Sequence, residues 1–200
     1  MTLEKEEFNL STKASGRIDV LVPRCLIGEG ANILGVIVDY EGLCSLQVEW
    51  RHGKICSIKG LKDSSKVPNE ILLPRFSEPH AHLDKAFSWS RAPNYKGSYQ
   101  EALVANLNDY KSRSQGQLLF SVEKSLNLAL VNGIRAIRSH IDSFGENVMR
   151  DWDLLEDVRK KWRDKIFLQF VALVPLEFWQ TYDGELLAQR VALNGDLLGG

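Results

Sequence analysis

The stretch "LPRFSEPHAHLDKAF", residues 73–87, carries His80 and His82, two of only four histidines in a chain of 200 residues. On an extended strand, residues i and i+2 project to the same face. The spacing therefore lets two imidazoles aim at one object. The pair follows the apolar run "EILLPRF" (70–76), which reads as a short strand. Imidazole suits zinc, iron or copper, so the sharp reading is a divalent metal, Zn or Fe, held by His80 and His82. The bland reading is a pair of surface or hydrogen-bonded histidines.

The rhythm downstream decides between them. Ser98 and Glu101 fit a capping box before a helix carrying Ala102, Leu103 and Leu107. A second helix is expected from near Ser121, with Val122, Leu126, Ala129 and Leu130 on one face and Gly133 as its stop. The strand "IRAIRSHID" (134–142) follows. Next comes a helix over about 151–163 with the stripe Trp152, Leu155, Val158 and Trp162, then the strand "IFLQFVALV" (166–174). A helix near 184–194 ends at Gly195, and "LLGG" begins a further strand. Strands alternating with helices imply parallel βα units. In parallel barrels the chemistry gathers at the C-terminal ends of the strands, which is where His80 and His82 fall.

The strand "IRAIRSHID" supports a site. Ala136, Arg138, His140 and Asp142 share one face, and Ile137, Ser139 and Ile141 share the other. An arginine, a histidine and an aspartate in line are costly to bury unless they pair or serve a site. Arg138, His140 and Asp142 are therefore candidates for contacts to substrate or to the metal ligands, with a structural ion-pair network as the competing account. Asp84 and Lys85 read equally as an ion pair at the start of a loop or as substrate contacts. Glu177, at the end of the third strand, is a candidate without a visible partner.

Before residue 70 the pattern is strand-like. "RIDVLV" (17–22) starts it, and "NILGVIVDY" (32–40) is rich in β-branched residues. In "LCSLQVEW" (43–50), Cys44, Leu46, Val48 and Trp50 alternate with polar residues. His52-Gly53 reads as a hairpin turn into "KICSIKG" (54–60), and "KDSSKVPNE" (62–70) as a closing polar loop. The expected layout is a polar tail over 1–16, a small β-module over 17–69 and a βα segment over 70–200.

Composition narrows the classes. A net charge of -1 gives no reason to expect a nucleic-acid or acidic-membrane partner. No apolar run approaches the ~20 residues that span a bilayer. The start, "MTLEKEEFNLSTKAS", is acidic and polar, without the features of a signal or transit peptide, so a cytoplasmic location is expected. Cys25, Cys44 and Cys56 lack metal-type spacing and read as reduced, mostly buried thiols.

The order of a small β-module, "EPHAHLDK", "RSHID", "IFLQFVALVP" and "GDLLGG" resembles the amidohydrolase superfamily and, within it, the cytosine-deaminase-like branch, from about residue 17 onward. That resemblance implies an α/β fold: a β-sandwich attached to a metal-dependent (β/α)8 TIM-barrel hydrolase, of which three to four βα units are visible here. It implies His80 and His82 as the first two metal ligands at the end of barrel strand 1. It places His140 and Asp142 beside the metal, at the end of strand 2. It implies hydrolysis of a C–N bond in a small-molecule substrate, with a metal lowering the pKa of a bound water toward ~7 and a carboxylate moving the proton to the leaving nitrogen.

Two departures qualify it. Cytosine deaminases carry a glutamine just after strand 3, where this chain has Val174-Pro175-Leu176-Glu177. A cyclic amide, amidine or other amino-heterocycle therefore fits as well as cytosine. Second, a (β/α)8 barrel takes about 250 residues, and no histidine follows His140. A catalytic zinc usually takes three protein ligands, so no complete catalytic set is expected within the chain. Three accounts compete: the N-terminal part of an amidohydrolase, a non-catalytic remnant or binding module, and a half-enzyme completed by a partner or by self-association.

Overall fold

The computed structural model describes residues 15–28, 36, 38–61 and 67–200. They divide into two compact units, one ending at Pro74 and one running from Arg75 to Gly200.

The first unit is an antiparallel sheet of β1 (Ser15–Pro23), β2 (Leu43–Arg51) and β3 (Lys54–Gly60), in that order. Alternation along β2 buries Cys44, Leu46 and Val48. The β2–β3 turn forms where expected: His52 and Gly53 both have positive φ, 51° and 71°. That is the geometry of a two-residue type I′ turn, whose twist matches the flanking strands. Ser15 and Gly16 belong to β1 rather than to the expected tail. The rest of the tail, most of "NILGVIVDY" and the first part of "KDSSKVPNE" lie outside the described residues. Among the described residues there is one sheet in this unit, so the expected sandwich has no second layer here. The three thiols are free, but only Cys44 is buried. Cys25 sits in a single 3-10 turn (Arg24–Leu26) and Cys56 on the edge strand β3, and both are exposed, against expectation.

The run "EILLPRF" does not form the first strand of the second unit. Ile71 bridges Leu21 of β1, with Leu21 N–H donating to Glu70 O at 2.8 Å and Leu72 N–H donating to Leu21 O at 2.8 Å. Pro74 has no N–H to continue that pairing. The first strand of the second unit is instead β4 (Phe76–Ala81).

The second unit is a parallel sheet in the order β4, β5 (Ile134–Asp142), β6 (Phe167–Leu173) and β7 (Leu197–Gly199). Between the strands run α1 (Tyr99–Ser112) and α2 (Gln115–Val131), α3 (Val148–Trp162), and α4 (Tyr182–Leu193) behind a 3-10 turn (Leu176–Gln180). The unit is thus three βα segments and a fourth strand. Ser98 caps α1 by accepting from Glu101 N–H at 3.2 Å, but the Glu101 carboxylate pairs with Lys96 rather than closing the box. The full capping box is on α2, between Ser114 and Gln117. That helix starts six residues before the expected Ser121. Ser121 is buried, and its hydroxyl donates to Ala86 O at 2.8 Å. Gly133, at φ 78°, ends α2 as expected.

The core packs helices α2, α3 and α4 on one face of this sheet. Leu118, Val122 and Leu126 meet Ile137 and Ile141, and the α3 stripe of Trp152, Leu155, Val158 and Trp162 meets Leu168, Phe170 and Ala172. Along β5 the alternation holds through His140: Ile137, Ser139 and Ile141 are buried, Arg138 is exposed and His140 half-buried, but Asp142 at the strand end is buried as well. Among the described residues β4 pairs only with β5, and Phe76 through His80 are all exposed. Pro79, lacking an N–H, is tolerated on such an edge. No helix of the described residues is long and apolar enough to cross a membrane.

Candidate metal and substrate site

The C-terminal ends of β4 and β5 bring three histidines together. The His80 and His82 ring centroids are 5.2 Å apart, His80 and His140 3.9 Å, and His82 and His140 5.7 Å. His80 lies in β4, His82 follows its last residue, and His140 is two residues from the end of β5.

The segment Leu83–Lys85 is clamped onto β5. Leu83 N–H donates to Ser139 Oγ at 3.0 Å. Asp142 N–H donates to Asp84 Oδ2 at 3.2 Å. Lys85 Nζ donates to both Asp142 oxygens, at 2.9 and 3.1 Å, and Asn106 Nδ2 donates to Asp142 Oδ2 at 2.8 Å. Arg113, on the turn after α1, donates to Asp84 O at 2.6 Å and lies 3.7 Å from Asp84 Oδ2. Asp84 and Lys85 therefore do not pair with each other, as a local ion pair would. A backbone turn points them to different partners. Ser139, Asn106 and Arg113 were not singled out in the sequence. The only signal was a serine among the isoleucines of the buried face of β5.

Asp84 is wholly buried, and its Oδ1 has no hydrogen-bond partner. Burial is the main reason its pKa is raised to about 6. The Asp142 charge adds to this, and Arg113 and Lys85 oppose it. Between about pH 4 and 6 the folded chain then holds a proton that the unfolded chain has released. Stability contributed here is highest below pH 4 and falls as pH rises to 6. By 1.36 kcal/mol per unit, the change is on the order of 3 kcal/mol. Asp84→Asn, whose amide oxygen can still accept from Asp142 N–H, should abolish that slope. Urea unfolding of both proteins should show the variant gaining on the parent from pH 4 to pH 6.5. An unchanged difference would refute the assignment.

Other predicted residues lie apart. Arg138 is exposed and donates to Gln169 Oε1 at 2.8 Å. Glu177 is exposed in the 3-10 turn and joins none of these contacts.

The donor set bears on a metal in two ways. His82 Nδ1 lies 3.0 Å from the carbonyl oxygen of His140, which only accepts. Nδ1 therefore carries the proton, leaving the Nε2 lone pair of a neutral ring available to a metal. Burial, then the Lys85 charge, lowers the His82 pKa and favours that neutral form. Burial and the neighbouring His80 do the same for His140. The chemistry of His80 and His82 thus suits a divalent ion. Among the described residues, however, no group of three or more His, Cys, Asp or Glu could hold one.

No family model matches the chain. It is 37% identical over 134 residues to pterin deaminase of Rhizobium rhizogenes strain K84, a match covering 65% of this chain and 30% of that protein. It is 22% identical over 146 residues to N-isopropylammelide isopropyl amidohydrolase of Pseudomonas sp. strain ADP, covering 70% of this chain and 36% of that protein. The chain thus spans about a third of the length of these curated relatives. Its fold is shared with 5-methylcytosine deaminase from Klebsiella pneumoniae liganded with phosphonocytosine. That comparison has a TM-score of 0.67 at 20% identity, over 92% of this chain and 43% of that one.

Proposed function

Because the chain belongs to the amidohydrolase superfamily, we propose that it supplies the first metal ligands, His80 and His82, of a hydrolase that cleaves a C–N bond in a cyclic amide, amidine or amino-heterocycle. The observation that carries this reading is His82, its Nδ1 hydrogen-bonded to the His140 carbonyl and its Nε2 left free beside His80. The parallel βα layout supports a (β/α)8 barrel whose other strands lie outside these 200 residues. Those strands would provide the remaining ligands and the proton-shuttling carboxylate. The ancestry and the neutral donor ring favour this over a non-catalytic module.

Within the chain the roles divide as follows. His80 and His82 would hold the ion, zinc or iron, which when bound supplies Lewis acidity to activate water at neutral pH. Lys85, Asn106 and Asp142 hold the loop that follows His82. Arg138, and His140 through its ring, stand on the sheet face opposite the helices, where a planar substrate could be met. Gln169 is hydrogen-bonded to Arg138, so no glutamine of this sheet is free to read a pyrimidine edge. Pterin, the substrate class named for the 37%-identical relative, is accordingly a better first assay than cytosine.

The test is a chimera in which the matched segment of this chain replaces its counterpart in pterin deaminase. Metal-dependent ammonia release from pterin is expected, falling about 100-fold or more in His80→Ala and in His82→Ala. The 200-residue chain alone should release none. A folded, metal-loaded chimera without turnover would favour the non-catalytic module.

A further inference from the structure

Strand β4 is a poor platform for a metal ligand. Among the described residues it pairs on one side only, its pairing register shifts between Glu78 and Ala81, and Pro79 contributes no N–H. The main-chain N–H of His80 does not enter the ladder; it donates to Glu78 Oε1 at 3.0 Å. Among the described residues neither ring nitrogen of His80 makes a hydrogen bond, and the side chain is exposed. Something other than the strand must define where its ring points.

His140 is placed to do so. It sits inside β5, in register with Val171 of β6, and directly follows Ser139, which pairs with Ala81 of β4, so its main chain is held in the sheet. Its ring lies on that of His80, with centroids 3.9 Å apart and planes 20° from parallel. Its carbonyl oxygen is the acceptor for His82 Nδ1 at 3.0 Å. The adjacent Ser139 holds Leu83 through its hydroxyl. The His140 ring meets His80 through its face rather than through a nitrogen, and the Ala81 main chain lies close enough to its ring to raise its pKa against burial. That geometry is a stacking plate, not a third ligand.

We infer that His140 is the positioning residue for both candidate ligands, orienting His80 by ring stacking and fixing the tautomer of His82 through its main-chain carbonyl. The inference rests on the reading of His80 and His82 as metal ligands, but its structural content is independent of any ion. It separates the two halves of one residue. Replacing the side chain should disturb His80 and spare His82. A flat hydrocarbon ring should suffice where a nitrogen ligand or proton carrier would not.

The experiment uses the metal-free chain with labelled histidines, followed by zinc binding against a competing chelator. In the parent, the ring protons of His80 should show the upfield shift of a stacked neighbour, and His82 the Nδ1–H tautomer. His140→Ala should remove the upfield shift, leave the His82 tautomer intact and weaken zinc binding by ~10–100-fold. His140→Phe should restore both the shift and most of the affinity. The inference is overturned if His140→Phe behaves like His140→Ala, if His80 is unaffected in both, or if His82 is the Nε2–H tautomer in the parent. If no zinc binds to this chain while the ring signals behave as described, the positioning role stands, and the metal reading is decided by the chimera, whose other strands supply the remaining ligands: loss of metal dependence there overturns it. Circular dichroism on each variant checks the fold, and His140→Phe keeps the test decisive should His140→Ala unfold.

Discussion

Asp142→Ala is expected to destabilise the second unit by about 3 kcal/mol, the low end of the ~3–5 kcal/mol seen when one partner of a buried ion pair is removed. The side chain of Asp142 is 4% exposed and that of Lys85 21%. Removing the carboxylate leaves the Lys85 ammonium and the Asn106 amide without their acceptor in a largely buried site. The partial exposure of Lys85 is the reason for choosing the low end. The pair need not be net stabilising, because desolvation of both charges offsets much of their attraction. Asp142→Leu combined with Lys85→Met should therefore recover to within about 1 kcal/mol of the parent, although either single change does not. Urea unfolding of the four proteins gives the coupling directly. Additive losses would show that Asp142 is stabilised by something other than Lys85.

That network also shows where sequence reading stops. The βα order, strand β5 and the apolar stripe of α3 were legible because each is a local period, of two residues or of 3.6, that packing then rewards. The hairpin at His52-Gly53 was legible because turn chemistry is local too. The start of α2 was missed because Ser121 looks like a cap. Its actual partner, the carbonyl of Ala86, is 35 residues away in sequence. The roles of Asp84 and Lys85 were open for the same reason: their partners, Arg113 and Asp142, come from the turn after α1 and the end of β5. The apolar run at 70–74 was assigned to the wrong unit because hydrophobicity shows that a strand is buried or paired, not with which sheet. Within the candidate site, the residue types at 80, 82 and 140 were visible. The stacking of His80 on His140 and the carbonyl that sets the His82 tautomer depend on the β4–β5 register, which no single-strand pattern encodes.

Trp152→Ala should be the most damaging single substitution in the core, costing about 4 kcal/mol within the ~3–5 kcal/mol range for large aromatic truncations. Trp152 is 0% exposed, stands edge-on to Phe170 with centroids 6.1 Å apart, and donates its indole N–H to Ser143 Oγ at 3.0 Å. Truncation removes the packing between α3 and β6, opens a cavity, and strips a buried hydroxyl of its donor. Against a typical total of about 5–15 kcal/mol, that loss brings the unit close to unfolding at 37 °C. Trp152→Phe should cost less, keeping most of the apolar volume but not the hydrogen bond. Phe167→Ala, at a residue 62% exposed at the start of β6, should stay within about 0.5 kcal/mol. The consequence extends to the site. Ser143 directly follows β5, its hydroxyl donates to Ile141 O and its N–H to Leu173 O, so the indole braces the strand end that carries His140 and Asp142. Stacking signals between His80 and His140 should therefore weaken in Trp152→Ala at temperatures where circular dichroism still reports a folded sheet. If the chain loses helix signal and histidine stacking in one transition instead, the strand end has no local freedom, and the core and the site are a single cooperative unit.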